Sequence, residues 1–273
     1  MTKRIFPAIN VLLAAFFIIQ VSGCSLFSDK GSPVPTVTVT ETVFVTVTPG
    51  GKPQSGGIDT SSKEVITPPG QAYKLTGEFT DIEKHPDKKI IMDLARKGFI
   101  TGFSDGRFEP GRPISRAVYV LWLYNAAGCK TPLADAESPT FPDLPRDHWL
   151  YQIIEGMVEI GGFKGYPDNT FRPDEFLTRQ EWCVISSFFA ADPQYVIDTV
   201  DTFPDHFKLC KYNDAAKVSK PNRNFVEHAC ASQWCETVFG RNLRKAPFNP
   251  DKPVTRAEAA KFIYEFQGSL KVN

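Results

Sequence analysis

The sequence is poor in the groups that carry out chemistry. It holds only four histidines in 273 residues, and it has no CxxC pair. His85, His148, His206 and His228 share no position, and no nucleophile motif stands near them. That argues against an enzyme, because general acid–base and covalent catalysis need such groups within reach of one another. No histidine or cysteine pattern has metal-ligand spacing,. The acidic turns lack the regular Asp-x-Asp-x-Asp-Gly ladder of a calcium loop,. Neither a metal nor a cofactor is therefore expected. Net charge is missing too: 31 Lys and Arg balance 31 Asp and Glu. A nucleic-acid partner would favour a basic face, so that class is set aside as well.

The N-terminus is organised differently from the rest. Lys3 and Arg4 make a positive start, and residues 5–21 are almost wholly apolar. Val21-Ser22-Gly23 then closes the stretch with small residues before Cys24. Residues 1–23 read as an export signal. A plain signal peptide or an uncleaved anchor helix are the alternatives to a lipidated start. Residues 24–78 alternate Thr and Val, then turn to Gly, Pro, Ser and Lys, with no partner strand or core in evidence. Such composition forms an extended spacer. At ~3.3 Å per residue it would reach on the order of 150 Å.

Five cysteines follow Cys24: Cys129, Cys183, Cys210, Cys230 and Cys235. Export exposes them to oxidising conditions, and an odd count leaves at least one thiol free. One disulfide is expected, from Cys210 to Cys230 or Cys235. Cys129 and Cys183 are expected buried and reduced.

What the sequence has in plenty is repetition, which outranks any single-residue signal. Residues 102–116, GFSDGRFEPGRPISR, return as 165–179, GYPDNTFRPDEFLTR, and a worn third copy, PFNPDKPVTR, ends at Arg256. Phe108, Phe171 and Phe248 each precede an arginine by eight residues (116 − 108, 179 − 171, 256 − 248). Upstream, Phe79-Thr80-Asp81, Phe141-Pro142-Asp143 and Phe203-Pro204-Asp205 start 62 residues apart (141 − 79, 203 − 141). The third copy departs, with extra residues at 208–224 and Lys245 where the others carry Asp105 and Asp168.

Each copy reads as helix, turn, helix. Pro86 opens a first helix ending at Gly98, His148-Trp149 leads a second ending at Gly161-Gly162, and a third spans 225–239,. Asp105-Gly106 and Asp168-Asn169 are turns, and Phe108 and Phe171 plug them onto the core. Ser115, Thr178 and Thr255 are N-caps of the second helices, with capping boxes to Glu181 and Glu258,. Repeat 1 has Val118 at that position. The second helices are apolar nearly all round, which places them at the centre with the first helices outside.

Arg116, Arg179 and Arg256 follow the caps directly. A cation at a helix start is unfavourable, so helix stability does not explain three of them. A bound anion would, since helix-start N–H groups and an arginine fork both favour a carboxylate. Pairing with an acid of a neighbouring repeat, such as Asp81, Asp143 or Asp205, explains them equally well.

These motifs resemble the S-layer homology family, whose units run Phe-x-Asp, His-Trp, Gly-x-x-Asp-Gly-x-Phe-x-Pro and Thr-Arg-Ala-Glu. Repeat 2 carries Phe141-Pro142-Asp143, His148-Trp149, the turn from Gly165 to Phe171 and Thr178-Arg179-Gln180-Glu181. Repeat 3 keeps Thr255-Arg256-Ala257-Glu258. The boundaries are 79–140, 141–202 and 203–268 for the repeats, with a tail at 269–273. The resemblance implies an all-α, pseudo-threefold domain with a central three-helix bundle, outer helices and loops. It implies noncovalent binding of secondary cell-wall polysaccharide, typically anionic and pyruvylated, in grooves between repeats. Arg116, Arg179 and Arg256 would meet the carboxylate, and Asp105 and Asp168 the sugar hydroxyls. The start of the chain also resembles a bacterial lipobox, which implies lipid on Cys24 as mature N-terminus. Together these imply an exported lipoprotein, anchored to the outer membrane face through Cys24 and bound to the wall. The alternative is a protein–protein scaffold or envelope assembly factor on the same fold.

Overall fold

The computed structural model of the chain describes residues 43–45, 63–66, 75, 77–128, 134, 136–159, 165–190, 196, 212, 214–240 and 247–270. All lie in the compact unit Glu41–Asn273. The expected export signal, Cys24, Cys129, His206, Cys210, Phe203-Pro204-Asp205 and Lys245 fall outside the described residues.

The described residues are mostly helical. The first helices of copies 1 and 2 are α1 (Lys88–Arg96) and α3 (Tyr151–Glu159). The second helices of the three copies are α2 (Arg116–Ala126), α4 (Arg179–Ala190) and α7 (Arg256–Phe266). Two more, α5 (Arg223–Ala231) and α6 (Trp234–Phe239), lie in copy 3. The single helix expected over 225–239 is thus two. Gln233, at φ 63, takes the left-handed conformation that ends one run and starts the next,. Gly98, at φ 77, lies just beyond the end of α1 as expected,.

The apolar second helices are buried as their composition requires. From Ala117 to Tyr124 every residue of α2 is buried. This helix packs on both α4 and α7, while α1 covers α7 and α5 covers α4. The Tyr119 hydroxyl and Ser186 Oγ lie 2.7 Å apart, a hydrogen bond between α2 and α4 inside the core. Trp182 and Trp234 both meet Phe262 edge-on, with centroids 5.1 and 5.4 Å apart.

The caps follow the sequence in most details. Ser115 accepts the N–H of Val118, and Thr255 with Glu258 forms a reciprocal capping box. At Thr178 only half the box is made. Its N–H donates to Glu181 at 3.0 Å, but its buried hydroxyl has no partner.

The three copies are joined by repeated backbone bonds. Ile114 N–H donates to Val254 O, Val254 N–H to Leu177 O, and Leu177 N–H to Ile114 O, at 2.8–3.0 Å. The N–H groups of Arg116, Arg179 and Arg256 reach Glu175, Lys252 and Arg112 O in the opposite sense, at 2.9–3.0 Å.

Two expectations are corrected. The segment read as featureless spacer contributes an antiparallel strand pair, β1 (Val43–Val45) with β2 (Glu64–Ile66). Val65 and Ile66 are buried in the domain, so β2 is fold rather than tether. A strand pair also qualifies the all-α expectation. The second correction concerns the third landmark. Phe79 and Phe141 pack on Phe108 and Phe171, and in copy 3 it is Tyr212 that stacks on Phe248, at 4.9 Å. The landmark is Tyr212-Asn213-Asp214. Tyr212 to Arg256 spans 44 residues (256 − 212), near the 37 (116 − 79) and 38 (179 − 141) of the other copies.

Candidate functional site

The turn in each copy is built on a backbone that needs help. Glu109, Arg172 and Asn249 all have positive φ, at 56, 58 and 54 degrees. Successive N–H groups around such a residue form a concave anion site. Here the chain fills it. Asp81 accepts the N–H groups of Phe108 and Glu109, Asp143 those of Phe171 and Arg172, and Asp214 those of Phe248 and Asn249, all at 2.7–2.9 Å. The landmark aspartates therefore hold turns, and they do not pair with the three arginines. Gly165 opens the copy 2 turn at φ 65, where a Cβ would run into the Phe141 ring and Thr170 O. Asn169, at φ 62, serves there as Gly106, at φ 82, does in copy 1.

Asp105 and Asp168 sit on the exposed tips of these turns. Asp105 accepts from the Arg107 N–H at 3.0 Å and from its Nε at 2.6 Å. Asp168 accepts from Thr170 Oγ1 at 2.6 Å and from Arg172 at 2.7 Å. The Thr170 hydroxyl and Arg172 hold its carboxyl down to about 2.

The arginines lie inside the junctions between copies. Arg116, Arg179 and Arg256 are only 6%, 5% and 1% exposed. Each guanidinium bonds the carbonyl of the next copy's turn phenylalanine. Arg116 Nε donates to Phe171 O at 3.0 Å, Arg179 Nη1 to Phe248 O at 2.9 Å, and Arg256 Nε to Phe108 O at 2.8 Å. These carbonyls, on other copies, offset the unfavourable place of a cation at a helix start,.

Each arginine also meets an acid, though none of those expected. Arg116 lies 3.7 Å from Glu181 and Arg179 lies 3.4 Å from Glu258. Arg256 pairs tightly with Glu64. Aromatic faces complete the junctions. Arg116 sits 4.7 Å from the Tyr166 centroid, Arg179 4.1 Å from Phe239, and Arg256 4.8 Å from both Phe103 and Trp122,. Tyr166 donates its hydroxyl to Glu181, and Arg172 lies 4.0 Å from its ring.

The junctions differ in how fully their arginines are occupied. Arg256 also donates to Thr101 O at 2.6 Å. Burial pushes it down to about 9,. By contrast, Arg179 Nε is buried with no partner. The partly exposed acids of the first two junctions, Glu181 and Glu258, read from the sequence only as capping residues. Their recurrence three residues beyond each cap, next to an arginine, was the available signal. Tyr166 had a weaker one, its place beside the turn glycine.

Trp149, half-buried, packs against the core and stacks on His148 at 5.2 Å. Among the described residues no group of three His, Cys, Asp or Glu could hold a metal ion. Among the same residues no helix is long and apolar enough to cross a membrane.

The S-layer homology domain family matches residues 78–117, 140–182 and 246–260. Those segments contain all three junction arginines, both turn-tip aspartates, Glu181 and Glu258. The chain is 28% identical over 170 residues to a cellulosome-anchoring protein of Acetivibrio thermocellus, covering 60% of this chain and 34% of that one. It is 29% identical over 198 residues to the surface-layer 125 kDa protein of Lysinibacillus sphaericus, covering 71% and 15%. It is 32% identical over 93 residues to cell surface glycoprotein 1 of A. thermocellus, covering 34% and 4%. These findings support an S-layer homology domain protein. The chain spans about a third or less of the length of these relatives. Within the S-layer homology segments, the turns and helix starts are the parts that meet at the junctions. Copy 3 matches over its turn and the start of its second helix alone, which agrees with its altered upstream half.

Proposed function

We propose that this chain binds an anionic, pyruvylated cell-wall polysaccharide noncovalently at the junctions between its three S-layer homology copies, and so links membrane to wall. The observation that carries it is the placement of one arginine at each junction, on the segments that match the family. The relatives named for surface layers and for anchoring support the same role.

In this reading the copies form a pseudo-threefold domain around a central bundle of α2, α4 and α7. The cyclic backbone bonds through Ile114, Leu177 and Val254 support that arrangement. Arg116 and Arg179 direct guanidinium N–H groups at the ligand carboxylate, and Arg179 Nε has one to spare. Asp105 and Asp168 accept sugar hydroxyls from the exposed turn tips. Arg256, whose three nitrogens each already have a partner, contributes to the shape of its junction. The chain is exported through residues 1–23, lipidated on Cys24 and held at the outer face of the membrane, and it is not an enzyme. One lipid chain gives only marginal anchoring, so the wall contact and the lipid act together.

A protein–protein scaffold is the second reading, and the internal Arg–Glu pairs favour it. The two separate in one experiment. Purified cell walls should sediment the protein, and mild acid that strips ketal pyruvate should abolish this. Sedimentation that survives the acid treatment would remove pyruvate from the proposal. No sedimentation with either wall would favour the scaffold.

A further inference from the structure

Copy 1 departs from its neighbours at two positions that matter for its junction with copy 3. The third residue of α2 is Val118, where α4 and α7 carry Glu181 and Glu258. The residue after the turn glycine is Phe103, where copy 2 has Tyr166 and its hydroxyl. The junction of copies 3 and 1 therefore has an arginine, Arg256, but neither of the polar groups that face Arg116. Burying an arginine with no counter-charge is strongly unfavourable.

The missing carboxylate comes from 192 residues away in the chain. Glu64, only 8% exposed, pairs with Arg256. Its strand is pinned at both ends. Val65 N–H donates to Gly102 O and Ser104 N–H to Lys63 O, each at 2.9 Å, and Glu64 lies opposite Phe103 in an antiparallel bridge. Val65 and Ile66, 5% and 1% exposed, anchor the strand in the core. The effect shows in the two turns. Gly102 and Phe103 are buried beneath β2, whereas Gly165 is exposed and Tyr166 half-buried.

We infer that β2 is an internal occupant of the third junction: it covers the copy 1 turn and brings its Glu64 carboxylate to Arg256, closing that junction to a ligand carboxylate. The closing element comes from a segment with spacer composition and precedes all three copies. Glu64 is thus a built-in carboxylate ligand of Arg256, and removing it creates a vacant site for a carboxylate. This rests on the proposal that the junctions recognise carboxylates, and the test separates the two.

Full-length protein and its Glu64→Ala variant are melted in sodium acetate and in sodium chloride at equal ionic strength. Acetate is the probe, a free carboxylate small enough for the space the side chain leaves. The variant should melt lower than the parent and regain part of the loss in acetate but not in chloride, by saturable binding to the folded state. If the variant does not fold in chloride, the same readout is acetate-dependent refolding, with Glu64→Gln as the folded reference. An equal acetate response in parent and variant, or no refolding beyond chloride, overturns the inference. Titration with acidic wall polysaccharide fragments gives the second arm. Stoichiometry should rise from two to three on Glu64→Ala, and an unchanged value with wall binding intact counts against internal occupancy. Loss of all wall binding, with acetate rescue retained, sinks the wall proposal and leaves the occupancy of Arg256 standing.

Discussion

The Asp214 carboxylate accepts the backbone N–H of Phe248 at 2.8 Å, and its second oxygen takes that of Asn249 at 2.8 Å. It does for the third turn what Asp81 and Asp143 do for the first two. Because Asn249 has φ 54, the carboxylate stabilises a conformation the chain disfavours,. Asp214→Ala should therefore cost about 1–3 kcal/mol. Asp205→Ala, at the position singled out by the 62-residue spacing (203 − 141), should stay within about 0.5 kcal/mol,. Chemical denaturation of the two variants checks this, and a larger loss at Asp205 would restore the original register.

That register shows what a sequence conceals. Ser115 and Thr255 were legible as caps because capping is decided within four residues. Phe108 and Phe171 were legible as plugs because turn, aromatic and proline recur together. The third landmark misled because Phe203-Pro204-Asp205 copies the letters better than Tyr212-Asn213-Asp214, while packing on Phe248 asks only for an aromatic ring. Glu64 was illegible for another reason. Its partner lies at the far end of the chain, and its neighbours have spacer composition. The three arginines were recognised, but their burial depends on carbonyls of other copies, which no local pattern reveals.

Junction arginines should differ in their structural weight. Arg256→Ala leaves Glu64 buried without a counter-charge, and breaking such a pair costs about 3–5 kcal/mol. Arg116 and Arg179 face acids that are 18% and 19% exposed and more distant. Their alanine variants should lose less. Thermal unfolding of the three variants side by side measures the order, and equal losses would contradict it.

Acid should weaken the fold before the carboxylates titrate. Burial lowers both His148 and His228 below the ordinary histidine value of 6.5. The unfolded chain then binds more protons than the folded one as pH falls through 6.5, so stability is full above that pH and declines below it. Melting temperature should fall between pH 7 and pH 5. His228→Gln should flatten the slope, and an unchanged slope in that variant would contradict the assignment.

Thiol chemistry should sort the cysteines. Cys183 and Cys235 are buried and free, which removes Cys235 from the expected disulfide. Cys230 is disulfide-bonded, to a partner outside the described residues. Burial, then the adjoining Cys235, push the Cys183 thiol up. A thiolate reagent should label neither Cys183 nor Cys235 in the native protein and both in denaturant, with Cys230 appearing only after reduction. Peptide mass spectrometry reads all three. Native labelling of Cys183 would show that the core opens readily.

The most direct test is wall affinity, per folded molecule, of the Arg116→Ala and Arg179→Ala variants beside the parent. A charge-assisted hydrogen bond contributes about 1.5–3 kcal/mol, so each change should weaken binding roughly ten- to a hundredfold at its junction. Lysine should rescue only in part, because it lacks the planar fork. Lower melting temperatures with unchanged affinity of the folded fraction would contradict the binding role and leave the arginines as staples between copies.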